Sequence, residues 1–174
     1  MKNGFTLVEL LTVLTIIFIL TSVSFPAYRT AQKQYVLENA ARKLAQDIRK
    51  AEEMAISARI CEICQNKVPP GYGIHFQQGN SSYFIYADTN PTQGNERYDG
   101  GEKIIETISF ESGVFIKSLT LPSLSVNFKP PDPKIRIGND TQTLNEASII
   151  ISLSSDQSKT KTIRVNKAGL IYVE

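Results

Sequence analysis

Phe5-Thr6-Leu7-Val8-Glu9-Leu10-Leu11 opens an apolar run that continues to Phe25, behind Met1-Lys2-Asn3-Gly4. From Phe5 to Phe25 almost every residue is apolar or carries a small hydroxyl. A helix of that length measures roughly 30 Å, about the hydrocarbon thickness of a bilayer. Glu9 is the exception, one turn in. An ionised carboxylate facing lipid costs on the order of 2.5–3.5 kcal/mol or more near the bilayer centre, so this position needs a compensating partner. A cut between Gly4 and Phe5 would supply one. The new α-amino group of Phe5 stands at i and Glu9 at i+4, so the two could pair within one chain, or Glu9 could reach the amine of a chain packed alongside.

These residues resemble a known family: Gly4-Phe5-Thr6-Leu7-Val8-Glu9 is similar to the processing site of type IV prepilins and type II secretion pseudopilins. The resemblance implies that a prepilin peptidase cleaves after Gly4 and N-methylates Phe5, and that Glu9 aligns subunits in a filament. It also implies a pilin-like α+β fold, with a long first helix whose membrane half is followed by a half packed on an antiparallel β-sheet domain.

Two other readings of the run compete. A secretory signal peptide would use Lys2 as its positive region and Ser22-Val23-Ser24 as the small residues before a cut at Phe25. Glu9 inside the apolar core argues against it. A plain signal anchor would turn Glu9 toward an unrelated partner helix. Neither requires Gly4 and Glu9 at this spacing. Lys2 is opposed by Arg29, Lys33, Arg42 and Lys43 on the far flank, so charge alone sets orientation weakly. The size of the second flank decides for export of the larger part.

With 174 residues, roughly 150 of them beyond the apolar run, the chain supports one further globular domain. A net charge of +2 from 19 basic and 17 acidic residues, with a pI near 8.5, creates no strong field for nucleic acid or anionic lipid. One histidine, no tryptophan and two cysteines leave little material for metal clusters or histidine-based catalysis. No nucleophile, base and orienting group stand out together, so the chain reads as a non-enzymatic subunit.

Pro26 lacks the N–H that a continuing helix uses, so a bend is expected there, with the helix resuming beyond it. From Tyr28 to about Ile60, Leu37, Ala41, Leu44, Ile48, Ala51, Ala55 and Ala58 recur at three- and four-residue steps. This stripe of mostly small side chains suits close packing on a sheet. Cys61-Glu62-Ile63-Cys64 follows, just before Pro69-Pro70-Gly71. The pair allows a local disulfide, free thiols, or metal and redox chemistry. A redox site belongs at a helix N-terminus rather than its far end, and zinc would need ligands beyond His75. In an exported domain the disulfide is the plainest state.

After Gly71 the apolar period becomes two. Tyr72, Ile74 and Phe76, a Gln78-Gly79-Asn80 turn, then Tyr83, Ile85 and Ala87 describe a hairpin, with His75 on the opposite face, solvated or hydrogen-bonded. The polar loop Asp88 to Glu102 sets Asp88, Asn90 and Asp99 beside glycines, in an imperfect version of a calcium loop. Thr92 and Gln93 depart from that pattern, and a solvated hairpin loop is the alternative. Further strands are expected at Lys103–Phe110, Gly113–Leu121, Ser125–Lys129, Lys134–Ile137, Ala147–Leu153, Lys161–Val165 and Leu170–Val173. The expected organisation is leader 1–4, apolar helix 5–25, amphipathic continuation 26–60 and exported β-rich domain 61–174.

The ending, Ile163 to Ile171, resembles the closing hairpin of the H-type pseudopilin and related minor pilins. That resemblance implies a minor pilin or pseudopilin. Its partners would be prepilin peptidase, other pilin or pseudopilin subunits and the membrane assembly machinery. The chain would sit single-pass in the bacterial cytoplasmic membrane, domain outward, before joining a pilus or pseudopilus. The alternative is a DNA-binding minor pilin acting in uptake, contacting phosphates through Lys159, Lys161, Arg164 and Lys167. Glu174 adds opposite charge there.

Overall fold

The computed structural model describes residues 4, 6–90, 93–111, 113–130 and 134–174, with backbone alone for 23–27. Among the described residues one α-helix precedes ten strands: α1 (Leu7–Ile56), β1 (Gly71–Gln77), β2 (Ser82–Asp88), β3 (Lys103–Ser109), β4 (Val114–Leu119), β5 (Ser123–Lys129), β6 (Lys134–Gly138), β7 (Thr143–Leu144), β8 (Glu146–Leu153), β9 (Asp156–Asn166) and β10 (Ile171–Val173). The chain divides into two compact units, Met1–Val36 and Leu37–Glu174. The class is α+β, a helix packed on antiparallel sheets.

The helical backbone runs without interruption through Pro26. Its end differs from the expectation of about Ile60. Ala58 adopts a left-handed conformation, φ 47°, and the N–H groups of Ala58 and Arg59 return to the carbonyls of Ala55 and Met54. That is the hydrogen-bond pattern of a Schellman stop, so Ala58, expected on the apolar stripe, is exposed in the exit turn. Cys61 and Cys64 are joined by a disulfide across the short 3₁₀ turn Glu62–Cys64.

The second unit begins inside α1 rather than after it. Leu37, Ala40, Ala41, Leu44, Ala45, Ile48, Ala51, Met54 and Ala55 are all buried, and helix and strands share one core. The strands form a six-stranded sheet in the order β3-β2-β1-β5-β6-β7 and a four-stranded sheet β10-β9-β8-β4. Every pairing is antiparallel. Tyr83 donates to Asp47 at 2.7 Å and Lys50 pairs with Glu106, tying α1 to the larger sheet. Arg49 donates to the Ile171 carbonyl at 2.9 Å and Lys161 pairs with Glu38 at 2.8 Å, tying it to the smaller one.

Alternation sorts β1 cleanly. Tyr72, Ile74 and Phe76 face the core with Ile85, Leu124, Val126 and Phe128, all fully buried. Gly73 and His75 face the other way. Glycine is required at 73, because a Cβ there would come within 2.4 Å of the Tyr86 ring lying across it. Strand β7 and the polar first half of β9 were outside the sequence expectation. Asp156, Gln157, Ser158 and Lys159 show no apolar alternation, and of these four Asp156 alone has a register partner in β8, Leu153, where the ladder is irregular.

Candidate functional site

The processing junction is partly visible. Gly4 is exposed, with no heavy atom within 4 Å of the place a Cβ would occupy. Phe5, whose released amine and methylation the sequence suggests, lies outside the described residues. Glu9 is placed in detail. Its carboxylate accepts the Thr6 N–H at 3.2 Å and the Thr6 hydroxyl at 3.0 Å, and its own N–H donates to the Thr6 hydroxyl at 3.3 Å. This reciprocal arrangement is a capping box, satisfying two N–H groups that a helix start leaves open. The signal was present as Thr6-x-x-Glu9 and was not used in reading the sequence. Glu9 thus has a partner within the single chain.

Around it the helix offers apolar surface. Leu7, Val8, Leu10, Leu11, Leu14, Ile16, Ile17, Phe18, Ile19 and Leu20 are all more than half exposed. Thr12, Thr15, Thr21 and Ser22 turn their hydroxyls back onto backbone carbonyls one turn earlier, which removes polar groups from that surface. Among the described residues no helix is long and apolar enough to cross a membrane. The described side chains of this run stop at Ser22, short of the ~20 residues a span needs.

The acidic loop is organised by its own N–H groups. The Asp88 carboxylate accepts the N–H of Asn95 at 3.0 Å and of Glu96 at 2.6 Å, and the Asn127 amide at 3.3 Å. Burial raises the Asp88 carboxyl, against the pull of those donors. Asp99 accepts from the side chains of Asn90 and Asn95 and from the Gly101 N–H. Burial works against its charge, but these bonds together with Glu102 outweigh it and hold it at about 2. Among the described residues no group of three or more acidic, histidine or cysteine side chains is placed to hold a metal. Of the residues in the calcium reading, Asp88 and Asp99 take amide donors on their oxygens, and the Asn90 amide is itself a donor to Asp99. Thr92 lies outside the described residues.

His75 is buried rather than solvated, because this loop covers it. Its ring lies 4.5 Å from Tyr98 and 5.1 Å from Phe84, centre to centre, with Ser125 hydrogen-bonded to Nδ1. Burial lowers it to about 4. Of the basic run, Lys161 pairs with Glu38, and Arg164 pairs with Glu146 and Glu174. The structure turns these two charges toward carboxylates of the same chain.

Comparison with known proteins adds one result from sequence and one from structure. Residues 1–25 match the family described as the prokaryotic N-terminal methylation motif, so the amino terminus carries that motif. No curated protein matches the chain. Among solved structures, the type IV minor pilin FimU of Pseudomonas aeruginosa, strain PAO1, aligns with a TM-score of 0.47 and 14% identity, over 79% of this chain and 92% of that one.

Proposed function

We propose that this protein is a prepilin-like assembly subunit, a minor pilin or pseudopilin. It is cleaved after Gly4, methylated on Phe5, held in the cytoplasmic membrane by its first apolar segment and drawn into a filament by the same segment. The observation that carries this reading is the methylation motif over residues 1–25, continuous with a helix whose large apolar side chains find no cover in its own chain. In water such a surface is unstable alone, and lipid or a bundle of like helices covers it. Glu9 then exchanges its Thr6 partners for an amine released at the same depth, neutralising a charge that lipid would penalise. The domain 37–174 faces outward, and its role is structural rather than catalytic.

Mass spectrometry of the protein isolated from its native membrane tests the first step. The expected mature chain begins at Phe5 and carries one added methyl group. A chain beginning at Met1, or at Phe25 as a secretory signal would leave it, overturns the proposal. The uptake reading is less favoured, since Lys161 and Arg164 are engaged with Glu38, Glu146 and Glu174.

A further inference from the structure

The connection from α1 to β1 is pinned to itself. Cys61 and Cys64 are cross-linked, and the Cys61 N–H donates to the Lys67 carbonyl at 3.0 Å. Between these ties Gln65 and Asn66 adopt left-handed conformations in succession, φ 61° and 56°. Such backbone persists where its surroundings over-determine it, and it gathers at ligand contacts. Beside this loop lies a hollow of about 430 Å³, bounded on the other side by Asn90 after β2 and Lys103 at the start of β3. Asn90 is fixed in that wall. Its amide donates to Asp99 at 3.0 Å, and it lies so close over Gly101 that a Cβ there would come within 2.2 Å of it. Hollows of this size take a small ligand or a few side chains.

The chemistry of the hollow is one-sided. Ile63, Val68, Pro69 and Pro70 give it apolar surface, and Ile63 and Val68 are 56% and 46% exposed although the loop that carries them is pinned. Among the described residues its charged members are Lys67 and Lys103, and no aspartate or glutamate lines it. Neither lysine has a carboxylate partner among the described residues, whereas Lys50, Lys129 and Lys161 each have one. Ile63 also borders a second, smaller hollow of about 190 Å³, where Ile60 and Ile105 extend the apolar surface and Glu62 stands at its edge.

Two unpaired ammonium groups over an apolar floor complement a carboxylate that has an apolar side chain beside it. A nucleic acid strand would call for a longer run of cations or for aromatic side chains on which bases stack, and neither lines the hollow. We propose that this loop is a docking site for a partner polypeptide, which sets one acidic side chain at Lys67 and Lys103 and a neighbouring apolar one against Ile63 and Val68. Glu62 gives the contact a direction. It repels an acid from the second hollow, so the carboxylate belongs in the first and the apolar residue lies toward the second. The site falls wholly within residues 37–174 and depends neither on cleavage after Gly4 nor on the apolar helix.

The test is methyl NMR of the full chain in detergent micelles, titrated with the blocked peptide acetyl-Leu-Glu-Leu-amide and with its glutamine counterpart. The glutamate peptide is expected to shift the Ile63 and Val68 methyls saturably and to bind at least about fivefold more tightly than the glutamine peptide. Added salt should weaken that preference. Lys67→Gln combined with Lys103→Gln, both exposed positions, should abolish it. The methyls of Ile149 and Ile163, buried in the smaller sheet, should keep their positions and report an intact fold. Equal binding of the two peptides overturns the proposal, as does a preference that survives the double substitution in a folded protein. So does the lack of any saturable shift up to about 10 mM peptide, and so do shifts produced by a thymidine oligonucleotide but not by the glutamate peptide.

Discussion

The two halves of α1 share one backbone geometry and place their apolar side chains in opposite relation to the chain. Between Leu7 and Leu20 they are large and exposed, whereas between Leu37 and Ala55 they are mostly small and buried. Side-chain size follows the partner. A surface that meets lipid or other helices gains from bulk, while one that lies against sheets of its own chain gains from close approach. The second half is covered from inside the molecule and the first is left exposed, so the same substitution should have different consequences in each.

The largest effect is expected at Glu9. Leucine there should leave cleavage to Phe5 and membrane retention intact yet lower the amount in sheared filaments at least a hundredfold. The unpaired amine left behind costs on the order of 3–5 kcal/mol, and immunoblotting of the filament fraction measures it. Thr6→Ala dismantles the capping box while keeping the carboxylate. An equal loss in that variant would break the comparison by making Glu9 a helix cap rather than an intersubunit group.

Next in size is Leu44→Ala set against Leu14→Ala. Leu44 is fully buried and Leu14 is 58% exposed. Urea unfolding should show a loss of about 2–5 kcal/mol for the first and under about 0.5 kcal/mol for the second. A comparable loss at Leu14 would mean that the first half is already covered within the chain.

Acid should separate the halves again. His75 is held neutral by burial, with its value lowered to about 4. A depressed histidine contributes stability that is full above its ordinary value of about 6.5 and is lost as pH falls toward the folded one. Unfolding of the second unit should weaken by about 2–3 kcal/mol from pH 7 to pH 4, and His75→Gln should flatten that slope. The helicity of residues 7–36, followed by circular dichroism in micelles, should stay constant. The smallest effect is a gain. Ala58→Gly relieves a left-handed alanine and should add about 0.5–1 kcal/mol, read as a rise in melting temperature.

Much of the carboxy-terminal helix and most of the sheet were legible because burial imposes a period. Leu37, Leu44, Ile48 and Ala55 recur as a helix requires, and Tyr72, Ile74 and Phe76 as a strand requires. The helix stop at Ile56 was not, since an alanine in a left-handed turn carries no local sign. The loop was left between a calcium site and a solvated hairpin loop for a related reason. Asp88 and Asp99 have the composition of cation ligands, and only the folded chain reveals that its own amides are the donors. His75 was assigned to the correct face of β1, but its burial depends on Tyr98, more than twenty residues away and held there by ring contacts with two strands.

By itself the sequence determined the motif, the exposed apolar helix and the switch from helical to strand periodicity, because each follows from neighbours within a few residues. Tertiary structure alone decided which strands share a sheet, what lies over its outer face and which of its charges find partners. Those outcomes depend on side chains brought together from distant parts of the chain, where removal of water makes each unpaired charge expensive.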